Sequence, residues 1–93
     1  MNMVETLQII VTGAVQGVYF RQSAKEKAVS LGIKGTVKNI ADGSVSIVAS
    51  GEHKNLQKLI DWCCVGPSQA EVANVHVEKV PYVEFKEFNI IRG

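Results

Sequence analysis

A strand-like run of β-branched residues leads directly into a loop bounded by two glycines, and that loop leads directly into a helix-like run. The segment reads Val11-Thr12-Gly13-Ala14-Val15-Gln16-Gly17-Val18-Tyr19-Phe20-Arg21. It constrains the fold because a strand, a helix and a second strand in succession return the chain parallel to its starting direction, with the helix laid over the sheet. Glycine lets a backbone turn where other residues cannot and approach a ligand closely. The start of a helix presents unpaired N–H groups and partial positive charge. With the guanidinium of Arg21 added, the segment makes a small cradle suited to an anion such as a phosphate.

The rest of the chain supplies the partners of that unit. Residues 7–12 read as its first strand. Residues 20–31 form a helix with Phe20, Ala24, Ala28 and Leu31 on one face and Gly32 as its stop. Residues 34–40 and 44–50 are two strands joined at Asp42-Gly43, a hairpin signal. Residues 53–64 place Leu56, Leu59, Ile60 and Cys63 at helical spacing, ended by Gly66-Pro67. Residues 71–80 alternate Ala73, Val75 and Val77 against Asn74, His76 and Glu78, and 85–91 read as a last strand. The order β-α-β-β-α-β predicts an α+β fold over residues 1–93 as one domain. It is a ferredoxin-like sandwich, an antiparallel sheet with both helices packed on one face and a short extra C-terminal strand. In this topology the carboxyl ends of the first two strands share one edge of the sheet. Arg21 and Asn39, 18 residues apart in sequence, could therefore face one bound anion.

Composition removes several classes of function. Apolar residues make up 46% and charged residues 20% of the 93, which is ordinary for a globular protein. The net charge is +1 with lysines scattered, so no basic stripe points to nucleic acid. The middle strand 44–50 has no aromatic residue of the kind that RNA-binding sheets use for stacking. Cys63 and Cys64 are adjacent, which rules out an ordinary disulfide between them and fits a reducing compartment. No apolar run is long enough to span a bilayer, and the start of the chain does not read as a secretory signal. A cytoplasmic monomer is expected, with no cofactor and no metal, because His53, His76, Cys63 and Cys64 fall into no ligand spacing.

The loop contains no serine or cysteine placed as a nucleophile, and no nucleotide P-loop is present. A reaction here has to run on positioning and electrostatics. An acyl phosphate tolerates that. Its leaving group is a carboxylate, the base of an acid of pKa roughly 4–5 by analogy with side-chain carboxyls, so no general acid is required. An arginine, several backbone N–H groups and one water-orienting amide would suffice, and Asn39 could serve as that amide.

Val11-x-Gly13-x-Val15-Gln16-Gly17-Val18-x-Phe20-Arg21 resembles the first motif of the acylphosphatase family. Gly35-x-Val37-Lys38-Asn39-x-x-x-Gly43-x-Val45, followed by Gly51, resembles the second. The resemblance implies hydrolysis of the carboxyl-phosphate anhydride of a small acyl phosphate without a metal. Arg21 would bind the phosphate, and the backbone of Val15, Gln16, Gly17, Val18, Tyr19 and Phe20 would cradle it. Asn39 would hold the attacking water, whose proton can pass to the substrate's own phosphate. Thr36 stands where the family often has an aromatic residue, and Ala14 where a basic one is common; both bear on local packing and the choice of acyl group.

Plainer readings stand beside these. Arg21 is compatible with a solvated surface charge, Asn39 with ordinary turn chemistry, and Gln16 with a structural role in the loop. Lys38, His53 and His76 read as surface residues, Cys63 as core and Cys64 as exposed. Trp62 and Tyr82 read as packing, and Lys58 with Asp61 as a weak helix pair. A module that binds phosphate or a metabolite without turnover is the rival to an enzyme, since fold alone does not separate the two.

Overall fold

The computed structural model describes residues 3–92; Met1, Asn2 and Gly93, which the domain read from the sequence includes, lie outside them. The elements are β1 (Val4–Ala14), α1 (Phe20–Ser30), β2 (Lys34–Asn39), β3 (Val45–Glu52), α2 (His53–Cys63), β4 (Glu71–Val80) and β5 (Phe88–Ile91). The sheet order is β4-β1-β3-β2-β5. β1 pairs antiparallel with both β3 and β4, and β2 pairs antiparallel with β3. β1 and β2 therefore run the same way, and their carboxyl ends share one edge of the sheet, as the sequence predicts.

The last strand departs from the all-antiparallel expectation, because β5 pairs parallel to β2 and makes the sheet mixed. The cause lies in the connection. β4 ends with Val80 opposite Thr6, and β5 begins with Phe88 opposite Gly35. Residues 81–87 cross between the two sheet edges at the end where β1 and β2 begin, so β5 has to start there and run alongside β2. Two hydrogen bonds tie Val83 of this crossing to Thr6 and Ser50, and a third joins those two side chains. The Val83 N–H donates to Thr6 Oγ1 at 2.9 Å, and Ser50 Oγ donates to the Val83 carbonyl at 2.7 Å. Since the single Ser50 hydroxyl proton is used there, Thr6 must donate in the 2.6 Å bond between the two hydroxyls. The ring closes on itself beneath Thr6, which has no exposed surface.

The helices cover the face that carries Ile9, Val11, Val37, Val45, Ile47 and Ala49, all with no exposed surface. Phe20, Ala24 and Ala28 from α1 and Leu56, Leu59 and Cys63 from α2 complete the core. The Phe20 and Trp62 rings meet at 5.3 Å between centroids, tilted by 56°, so Trp62 packs as expected. Burial of the Cys63 thiol pushes its pKa up to about 12, while Cys64 is exposed. α1 ends in a Schellman motif. Ile33 N–H bonds to the Ala28 carbonyl and Gly32 N–H to that of Val29.

Edge position weakens the β4 alternation. Val77 faces the helices but is 38% exposed, because only β1 flanks the strand. A register shift at Thr12 and Gly13 displaces Ala73 from the sequence. A Cβ on Gly13 would run into Glu71 O and Ala73 N, so only glycine lets β4 approach here. Asp61 accepts from Gln57 at 3.0 Å, not from Lys58, because Gln57 lies one full turn earlier. Tyr82, read as a packing residue, sits on the crossing segment and is 54% exposed.

Candidate active site

Two buried anchors fix the glycine loop. Val15 at its start is 1% exposed and Phe20 at its end is 2% exposed, while Gly17 and Tyr19 between them face solvent. Gly17 has φ 76° with open space where a Cβ would be, so the conformation and not room calls for glycine. Tyr19 adopts the left-handed region at φ 62°, a costly choice for a side chain that is itself 79% exposed. Alternating backbone conformations of this kind turn successive N–H groups toward one concavity, the geometry of an anion nest. Among the described residues, no backbone N–H from Gln16 to Phe20 donates to a protein acceptor.

α1 begins at this point without a side-chain cap and without an acidic residue in its first turn. Arg21 is the second residue of the helix, half-buried, beside the anchor Phe20. A cation at a helix start opposes the helix dipole, so an anion bound there would relieve both. No acidic side chain among the described residues pairs with Arg21; the acidic side chain seen against a basic one is Glu5, 3.0 Å from His53 Nδ1.

Asn39 ends β2 and is half-buried, and the turn after it is tightly built. Ile40 N–H bonds to Ser44 O at 2.8 Å and Gly43 N–H to Ile40 O at 3.0 Å. Asp42 Oδ1 accepts from the Ser44 hydroxyl at 2.6 Å and from the Ser44 N–H at 2.9 Å. These two bonds, the hydroxyl's first, hold the Asp42 carboxyl below its ordinary pKa.

A cleft of about 480 Å³ opens at this edge of the sheet. Arg21 and Asn39 both line it, together with Val15, Gly17, Tyr19 and Phe20 of the loop. Gln16 and Val18 do not. Val18 packs against the core, and the Gln16 amide donates to Ile40 O and Ser44 O, both at 2.8 Å. Lys38, Ala14 and Thr36 also lie outside the cleft lining. Sequence reasoning missed three residues that do line it, Gln22, Ile90 and Arg92. Gln22 lies in the first turn of α1. Ile90 comes from β5, whose parallel pairing sets Ile91 beside Lys38, and Arg92 follows directly on the end of that strand. The signal for Arg92 was a charge directly after an apolar strand; the missing datum was which strand that one would join. Among the described residues two arginines and no acidic residue line the cleft, so their field favours an anion.

Comparison with known proteins places the chain in a family. A family model described as acylphosphatase matches residues 7–90. An acylphosphatase of Pelotomaculum thermopropionicum is 45% identical over 83 residues, covering 88% of this chain and 90% of that protein. The solved structure of an acylphosphatase from Coxiella burnetii superposes with a TM-score of 0.93 at 38% identity, covering 97% of this chain and 94% of that one. The acylphosphatase from Bacillus subtilis superposes with a TM-score of 0.91 at 33% identity, covering 97% and 100%. The chain belongs to the acylphosphatase family, with the ferredoxin-like fold of its solved relatives. It is an enzyme, an acylphosphatase. No helix among the described residues is long and apolar enough to cross a membrane.

Proposed function

We propose that Arg21, the Val15–Phe20 backbone and Asn39 carry out the hydrolysis, with no metal taking part. The observation that supports this most directly is that Arg21, Asn39 and, from the loop, Val15, Gly17, Tyr19 and Phe20 line one cleft, beside loop N–H groups that have no protein acceptor among the described residues. The phosphoryl oxygens lie against those N–H groups and the start of α1, and the Arg21 guanidinium bonds two of them. The Asn39 amide holds a water opposite the leaving oxygen. The water oxygen forms a bond to phosphorus as the bond from phosphorus to the acyl oxygen breaks. The carboxylate departs with that electron pair. The proton released by the water passes to a phosphate oxygen, giving inorganic phosphate. Charge on the equatorial oxygens grows where the donors already point, so little reorganisation accompanies the step. In this reading the enzyme acts on small acyl phosphates as a monomeric cytoplasmic domain of residues 1–93. The free thiols of Cys63 and Cys64 fit that compartment.

The test is release of inorganic phosphate from benzoyl phosphate by the purified chain in excess chelator, beside Arg21→Ala and Asn39→Ala. Turnover that survives chelation and is lost in both folded variants is the expected result. Turnover that vanishes with chelator, or persists in either variant, sinks the assignment.

A further inference from the structure

We propose that the Gln16 side chain is a positioning residue that sets the spacing between the anion cradle and Asn39. The inference rests on the roles given above to the cradle and to Asn39. The Gln16 side chain does not line the cleft; whatever its backbone N–H gives the cradle, its amide points into the hairpin. Both N–H bonds of its amide are directed into the hairpin, one to Ile40 O and one to Ser44 O, each at 2.8 Å and in part-buried surroundings. Among the described residues these two bonds are the hydrogen-bonded link between the loop and the turn that follows Asn39. Asn39 and Ile40 are consecutive, so the acceptor of the first bond lies one residue from the amide that holds the water.

The hairpin does not need Gln16 to satisfy its own backbone. The Ile40 carbonyl already accepts from Gly43 N–H and the Ser44 carbonyl from Ile40 N–H. Removing the Gln16 donors therefore leaves no buried carbonyl without a partner, and the stability loss stays small. The cradle does not depend on it either, because Val15 and Phe20 anchor the loop at both ends. What the two bonds add is register between one part that holds phosphate and another that holds water. In-line attack is sensitive to that register, since a misplacement of about 1 Å can cost on the order of 100-fold in rate. A carboxylate at position 16 would face two carbonyl oxygens with no donor, so Gln16→Glu should be worse than Gln16→Met.

The experiment is a double-mutant cycle between Gln16→Met and Asn39→Ala, read by kcat on benzoyl phosphate and by competitive inhibition with inorganic phosphate. Gln16→Met is expected to lower kcat by about tenfold or more while the inhibition constant for inorganic phosphate moves by less than about threefold. Asn39→Ala is then expected to cost much less in the Gln16→Met background than in the parent. An unchanged kcat in folded Gln16→Met, or a loss of phosphate affinity that matches the loss of kcat, overturns the proposal. So does strict additivity of the two substitutions when Asn39→Ala alone is impaired, and in that case the roles of Asn39 and the cradle survive. Full turnover in Asn39→Ala alone removes the role of Asn39 and this inference with it. Gln16→Asn, whose amide is one methylene too short to reach both carbonyls, gives the same readings should Gln16→Met fail to fold.

Discussion

The two ends of the sheet treat their polar groups in opposite ways. Where β1 and β3 meet the 81–87 crossing, Thr6, Ser50 and Val83 direct their donors and acceptors into one closed ring. Where β1 and β2 end, the loop from Gln16 to Phe20 has N–H groups with no protein acceptor, α1 starts without a side-chain cap, and Arg21 stands in the first turn without an acidic partner, all among the described residues. The first end holds the chain together; the second leaves donors without a protein acceptor among the described residues, as the proposed phosphate cradle requires. Rigidity is needed at both, but it comes from different sources. The ring supplies it through hydrogen bonds, and the cradle through the buried side chains of Val15 and Phe20 on either side. On the proposed roles, the anion cradle is preorganised by packing at its two ends while its backbone donors stay unused by the protein.

The largest effects are expected at the open end. Arg21→Ala removes the cation and one planar pair of donors from the cradle, and kcat/KM on benzoyl phosphate should fall by about 10³-fold or more. The fold should hold, because Phe20 and not Arg21 anchors the helix start. A melting temperature lowered as far as in a core variant would show instead that Arg21 supports the structure. Asn39→Ala should rank next, with kcat down by about 100-fold and the inhibition constant for inorganic phosphate nearly unchanged. Equal losses in both quantities would mean that Asn39 holds the anion and not the water.

Those residues were legible in the sequence because their neighbours specify them locally. Gly13 and Gly17 mark the loop, Phe20 and the residues one turn on mark the helix, and Gly32 ends it in the motif that glycine favours. Asp42-Gly43 marks the hairpin, so strand directions follow, and with them the meeting of Arg21 and Asn39 at one edge. Arg92 was not legible on the same terms. Its place depends on β5 pairing with β2, and that depends on a crossing fixed by Thr6, Ser50 and Val83, residues drawn from three separate parts of the chain. The Gln16 bonds were hidden for the same reason. They join groups 24 and 28 residues apart, and no local periodicity encodes a side-chain reach of that kind. Ala73 fell out of the β4 alternation because it is itself the unpaired residue of a bulge, facing a glycine whose close approach to β4 appears only in three dimensions.

At the closed end the expectation is stability without catalysis. Thr6→Val keeps the side-chain shape but removes the acceptor of the Val83 N–H and the donor to Ser50. Leaving such groups unmatched costs about 1–3 kcal/mol, which lowers the melting temperature by about 5 °C or more in a domain of this size. Measured well below its own melting temperature, the variant should keep kcat within about twofold of the parent, because that bound lies far under the 100-fold sensitivity of the reacting geometry. A larger fall in kcat would show that the ring reaches the cleft through β5 and Arg92, and the division between the two ends would then be one of degree.

The smallest effect lies in the turn beside the site. Both Ser44 bonds favour the ionised Asp42, so its carboxyl titrates below 3.8 in the folded chain. A depressed folded pKa contributes stability that is fully present above the unfolded pKa and is lost as pH falls through the folded one. The turn should therefore be insensitive to pH near neutrality and loosen only below the ordinary carboxylate range. Asp42 is fully exposed, so solvent and salt screen the effect and it stays minor. Carboxyl carbon chemical shifts followed against pH give the midpoint directly. Ser44→Ala removes the hydroxyl but leaves the backbone N–H, so the midpoint should rise partway toward 3.8 and not reach it. A midpoint that does not move with Ser44→Ala would mean that the hydroxyl bond does not hold in solution. The acceptors of Gln16 would then sit on a looser turn than the 2.6 Å bond implies.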